Sequence, residues 1–298
     1  MAISSTFQQA IRSKDFVLTA QLRLVEDTGR QGVIEQAERL STVVDAITVP
    51  SNPHGTVHMA GLAAASLLLA NDIDPVLHVA SRDRNRIAIR SELLGAVAIG
   101  VTSLILQRGD RLSGRSGAQL KKRKKVGSVK LLRVAKRLSD FQKQNNEPEL
   151  YLGTPANVLK PAPDRGPEVL VAKADAGARF VLTKACLDMD KLRQYMAALV
   201  AARITHRCRI IVSVPVPYTA EAARLLNENM RNEAIPAGIV KRLAEASSPE
   251  HLGAEIAAEF LRELPDVPGV SGANLIATGD VETIPAIIGA AELRQATS

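Results

Sequence analysis

Tryptophan is missing from this 298-residue chain, and five phenylalanines and three tyrosines make up its whole aromatic content, 3%. Its core must therefore be aliphatic, the composition favoured by parallel strands buried on both faces. The same scarcity argues against a nucleic-acid surface, which needs rings between its cations to stack bases. Cysteine is limited to Cys186 and Cys208, too few for a disulfide framework, and both read as small buried hydrophobes. The five histidines, His54, His58, His78, His206 and His251, lack the spacing of a metal set. His54 and His58 lie four apart, but in a Pro/Gly turn rather than along a helix. There is no nucleophile–base pair and no Walker loop, and residues 114–117 read as a flexible surface segment. No apolar run reaches the length of a membrane span, and residues 1–15 lack the apolar stretch of a secretory leader. A cytoplasmic protein without membrane contact is expected.

Hydrophobic content of 46% with 23% charged residues is ordinary for a globular chain. The formal charge of +7 is concentrated in Lys121, Lys122, Arg123, Lys124 and Lys125, with Arg133, Lys136 and Arg137 following at helical spacing. Such a run reads as a solvated loop or helix face, and the functional alternative is an acidic ligand or partner.

Apolar, β-branched runs recur and alternate with segments of helical period. Strands are predicted over 16–22, 46–49, 75–79, 101–106, 150–153, 180–183, 209–214 and 273–277. Helical patterns follow them, for example over 33–40, 59–70, 84–99 with Asp83 as N-cap, 131–142, 167–176 and 189–202. Eight strand–helix pairs without a linker predict one domain, 1–298, folded as a (β/α)8 barrel. An open doubly wound sheet is the competing architecture.

In such a barrel the loops after the strands form the working face. The residues at the predicted exits are Gln21, Asn52, His78, Arg108, Gly109, Asp110, Gly153, Asn157, Lys184 and Ser213. Taken singly, each is a strand end satisfied by its neighbours. Together, His78 and the triplet Arg108-Gly109-Asp110 point to a site: an imidazole, a cation, a carboxylate, and a glycine that lets backbone approach a ligand. A donor-rich site without an activated nucleophile suits a cofactor that brings its own reactivity.

These segments resemble the methylenetetrahydrofolate reductase family of FAD-containing (β/α)8 barrels. The likeness is carried by Leu77-His78-Val79 with Arg82-Asp83-Arg84-Asn85-Arg86, by Leu106-Gln107-Arg108-Gly109-Asp110, by 153–157, by 173–178, by 180–183 and by the Ile235-Pro236 region. The resemblance implies that Thr48, His78, Arg108, Gly109, Asp110, Gly153, Asn157 and Lys173 surround FAD, the cations serving its diphosphate. It implies that Asp110 lies beside the isoalloxazine, disfavouring an anionic reduced flavin and favouring a cationic iminium on the folate. A tetrahydrofolate substrate, NAD(P)H or another electron donor or acceptor, a homo-oligomer and a place in one-carbon metabolism and methionine biosynthesis are implied as well. Three departures stand out. The family's acid at the end of the first strand is Gln21 here, which can donate a hydrogen bond but cannot relay a proton; Glu26 is the nearest substitute. The family's glutamine after the sixth strand is Lys184, and the arginine after the eighth is missing from 277–280. The resulting expectation is an enzyme interconverting 5,10-methylene- and 5-methyltetrahydrofolate, with Gln21, Asp110 and Lys184 on the folate side and altered nicotinamide use or oxidation of methyl-folate. The alternative is a flavin- or folate-binding subunit that works only in a complex.

Overall fold

The computed structural model describes residues 6–109, 126–158, 167–230 and 233–293. Eight parallel strands close into a barrel in sequential order: β1 Val17–Gln21, β2 Ala46–Val49, β3 Pro75–Ala80, β4 Ser103–Gln107, β5 Tyr151–Ala156, β6 Phe180–Thr183, β7 Arg209–Val216 and β8 Val270–Ala277. β1 pairs with β2 on one side and with β8 on the other, which completes the ring and rules out the open sheet.

Successive side chains on a strand point to opposite faces, and the core divides accordingly. Leu18, Ile47, Leu77, Leu104, Leu152 and Val181 join the large outer cluster beneath the helices. Val17, Ala46, Val76, Ile105, Tyr151 and Phe180 fill the inside. Every one of these residues is buried, and burying such aliphatic side chains contributes roughly 1.5–3 kcal/mol each.

The bottom of the barrel is closed by a helix that the sequence patterns above did not indicate, Phe7–Ser13. Its start is fixed by a capping box between Thr6 and Gln9. The Phe7 ring meets Phe180 edge-on at 5.1 Å, and Tyr151 stacks on Phe180 at 5.3 Å. The Phe7 amide donates to Asp74 Oδ2 at 2.7 Å, and the Arg209 guanidinium donates to the Ile11 carbonyl at 3.0 Å. Three of the few aromatic rings are thus spent on the closed end.

Several expected boundaries move. β5 runs to Ala156 and β7 to Val216, so Pro155 and Pro215 lie inside strands rather than ending them. The helix after β3 is Arg86–Ala98, capped by the Asn85 side chain accepting from the Ala88 amide at 2.9 Å. Asp83 is not the cap because its carboxylate faces Arg82 and Arg84 instead. Cys186 and Cys208 are buried thiols, as expected. Among the described residues no helix is long and apolar enough to cross a membrane, and no cluster of His, Cys, Asp or Glu could hold a metal ion.

Candidate functional site at the barrel mouth

The strand ends gather most of the expected residues on one face. Gln21 is the last residue of β1, half-buried, in register with Thr48 on β2. Thr48 is buried, and its hydroxyl lies 3.1 Å from Asn274 Oδ1, which also meets the Thr19 hydroxyl at 2.9 Å. His78 sits on β3, 8% exposed, in register with Ile105. Arg108 and Gly109 follow β4 directly, Arg108 exposed. Asn157 follows β5 and Lys184 follows β6, both half-buried, with the Lys184 amide donating to the Ala156 carbonyl at 2.7 Å. Asp110 and the basic run 121–125 lie outside the described residues. Glu26 is exposed in the loop after β1.

Gly109 has φ +85°, a conformation glycine adopts without cost. A Cβ there would stand 3.0 Å from Arg82 Cβ and 3.3 Å from Ala80 Cβ, so the β4 exit packs directly on the β3 exit. Gly153 differs from the open position expected of it. It lies inside β5, and a Cβ there would come within 2.3 Å of the Phe180 ring. The missing side chain makes room for the bottom packing, and Gly153 offers the mouth no free space.

A set of arginines that the candidate list above did not contain ties the exits of β2 and β3 together. Arg82, 7% exposed, donates to the Asn52 carbonyl at 3.2 Å and meets Asp83 at 3.2 Å. Arg84 donates to the Ala80 carbonyl at 2.9 Å and to Ser51 Oγ at 3.1 Å, and pairs with Glu92 at 2.6 Å. Burial raises the Glu92 carboxyl pKa, and Arg84 partly offsets this. Three arginines within five residues after the His78 strand were the available signal. The β2 loop beside them is held by His58, whose Nε2 accepts from the Asn52 amide at 2.9 Å. Asn52 and His54 there both have positive φ, near 44° and 53°.

Lys173 reaches the end of β5 from the last turn of the helix Glu168–Asp175. Its side chain is 8% exposed, and Nζ donates to the Pro155 carbonyl at 2.6 Å. Burial pushes its pKa down to about 8, because removing an ammonium from water disfavours the charged form. Inside the barrel, Asn274 Nδ2 and Ser213 Oγ, on residues in register with each other, are buried without a protein partner.

A donor set of this kind fits an anionic cofactor such as FAD. The observation is Lys173, a buried amine donating to the Pro155 carbonyl near the end of β5, with Arg108 after β4 and Arg82 and Arg84 after β3. A diphosphate is the anion that such a group of cations accepts.

No match appears among curated protein sequences. A Clostridium thermocellum protein that binds two copies of 5-methyl-5,6,7,8-tetrahydrofolic acid superposes with a TM-score of 0.71 at 12% identity, covering 95% of this chain and 96% of that one. Tryptophan synthase from M. tuberculosis superposes with a TM-score of 0.51 at 14% identity, covering 98% and 100%. At these identities the two likenesses show the shared barrel and nothing finer. The family described as methylenetetrahydrofolate reductase matches residues 7–291. That span holds the bottom helix and all eight strands, and the chain belongs to the methylenetetrahydrofolate reductase family.

Proposed function

We propose that the chain is an FAD-dependent oxidoreductase that interconverts 5,10-methylene- and 5-methyltetrahydrofolate. Family membership supports a folate-related activity, and the tetrahydrofolate bound by the Clostridium protein is consistent with the same substrate class. The observation that carries the cofactor reading is the cation group at the exits of β3, β4 and β5. Arg108, Lys173 and the Arg82–Arg84 pair would hold the diphosphate, with Thr48, His78, Gly109 and Asn157 around the rest of the cofactor. When bound, the flavin supplies hydride acceptance and donation.

The chain's own residues then act on the folate. Gln21, at the end of β1, can donate a hydrogen bond to the pterin but has no proton to give. Reduction of the methylene form needs a proton at the folate and its reversal removes the same proton, so this residue slows that step in both directions. Lys184 supplies a cation toward the acidic tail of a folate. Asp110 would place a negative charge beside the reacting rings, stabilising positive charge as it develops on the folate.

The test begins with the absorption spectrum of purified protein and titration with added FAD. A colourless preparation that refuses FAD would end the cofactor reading. Steady-state assays follow in both directions, with NADH and with an artificial acceptor. Brisk NADH-driven reduction of methylene-folate would remove the role given to Gln21. That residue also favours a second reading, a flavin- or folate-binding subunit that turns over only within a complex. Rapid reduction of bound flavin by 5-methyltetrahydrofolate in the isolated protein decides against it.

A further inference from the structure

On the outer surface, running from beside the β3 exit along the barrel wall, a groove of about 590 Å³ lies between the helices Arg86–Ala98 and Ser128–Gln144. Arg86, Ile89, Arg90, Leu93 and Leu94 are spaced i, i+3, i+4, i+7, i+8, so one face of the first helix forms one wall. The other helix contributes Lys130, Val134, Arg137, Leu138 and Phe141 in the same way. Ile89 and Leu93 are buried at the floor, whereas Leu94 is 52% and Phe141 62% exposed. Leu94 and Phe141 thus hold large apolar side chains in water at the rim of the open groove.

The charge is one-sided. Arg86, Arg90, Lys130 and Arg137 line the groove, and among the described residues no carboxylate does. The surrounding sequence has the same sign: residues 110–125, which lead directly into Val126 on the groove wall, carry seven cations and one carboxylate.

We propose that this groove receives an acidic amphipathic helix of a partner protein. Leu94, Leu138 and Phe141 would take apolar anchors at i, i+3 or i+4, and i+7, the spacing by which helices recognise grooves. Arg86, Arg90, Lys130 and Arg137 would meet flanking carboxylates. A second copy of this chain brings the same four cations and is repelled. A flat anionic bilayer cannot reach Ile89 and Leu93 at the floor. Arg86 adjoins the mouth arginines, but Arg90, Leu94, Arg137, Leu138 and Phe141 lie further along the two helices, so the proposal does not rest on the folate reading.

The experiment uses the intact chain and a labelled synthetic helix with leucine at i, i+3, i+4 and i+7 and glutamate elsewhere, followed by fluorescence anisotropy. Saturable binding that weakens as salt rises is expected. The double variant Leu94→Ser/Phe141→Ser should weaken it at least about tenfold, which is roughly 1.4 kcal/mol. Arg90→Glu/Arg137→Glu should weaken it and flatten the salt dependence. Unchanged circular dichroism and melting of both variants would tie the loss to the groove. No saturable binding, or equal binding of a scrambled or lysine-substituted helix, would overturn the proposal. So would a groove-dependent association with phosphatidylserine vesicles in place of the helix, or a dimer in sedimentation that the Leu94/Phe141 variant dissolves.

Discussion

Replacing Lys173 by methionine should make the cofactor-free chain more stable while weakening its hold on FAD. The amine is 8% exposed, its Nζ donates to the Pro155 carbonyl, and burial alone brings its pKa from 10.5 to about 8. A tenfold change in proton affinity is about 1.4 kcal/mol, so keeping this group charged in the folded chain costs roughly 3 kcal/mol near pH 7. The unfolded amine holds its proton up to about pH 10.5 and the folded one only to about pH 8. The cost is therefore full below pH 8, shrinks as pH rises from 8 to 10.5, and is gone above that, so the stability of the cofactor-free chain increases with pH across the window. Methionine fills similar apolar space without the charge but leaves the Pro155 carbonyl without this donor, a loss of about 1 kcal/mol. The net expectation is a gain of about 2 kcal/mol at pH 7 that fades by about pH 10. Urea unfolding of both proteins at several pH values measures it, and subtracting one from the other cancels the remaining titrating groups. FAD affinity should fall at least about tenfold, the worth of one charge-assisted contact. Lower stability of the variant at pH 7, or a difference between the two proteins that stays constant from pH 7 to 10, would refute the reasoning.

Asp74 has the opposite sign: burial raises its carboxyl to about 6 against 3.8 for the free group, with the Phe7 amide partly offsetting this. Its ionisation costs nothing below about pH 4 and up to about 3 kcal/mol above pH 7. Asp74→Asn should therefore raise the melting temperature at pH 8 and leave it unchanged at pH 4; equal shifts at both would count against burial as the cause. Gly109→Ala puts a methyl at φ +85° and 3.0 Å from Arg82 Cβ, a strain of about 1–2 kcal/mol. FAD titration should show weaker binding with circular dichroism unchanged, and undiminished affinity would exclude the β4 exit from the cofactor site. Gln21→Glu should raise NADH-driven reduction of methylene-folate by about tenfold or more by restoring a proton donor; an unchanged rate would show that the handicap lies elsewhere.

Burial on both faces made the strand period legible, because a strand between helices and a barrel interior must be apolar throughout. β2 and β6 fall on the predicted residues for that reason. Pro155 and Pro215 read as stops because proline lacks an amide donor, yet each is accommodated within its strand. The bottom helix was within reach of the sequence, since Thr6 and Gln9 form a capping box and Phe7, Ala10 and Ile11 are spaced i, i+3, i+4. It is one short helix, held by long-range contacts to Asp74 and Arg209 that sequence spacing does not reveal. The mouth was legible wherever a polar residue interrupts an apolar run, as at His78 and Lys184. The residue pattern alone did not single out Lys173, which only the family resemblance pointed to, and it did not single out Asn274. In its own helix Lys173 looks like a solvated cation in the last turn, where it suits the dipole, and only the packing of that helix over β5 buries it. Asn274 gains meaning from Thr19 and Thr48, more than 220 residues away. These two residues, with Ser213, carry polar atoms the fold encloses at the expense of stability, whereas at the opposite end the rings of Phe7, Tyr151 and Phe180 pack on one another. Three of the eight rings thus seal the closed end, while the exits of β1, β4, β5 and β6 present the amides of Gln21 and Asn157 and the cations of Arg108 and Lys184, the groups that bind a charged ligand.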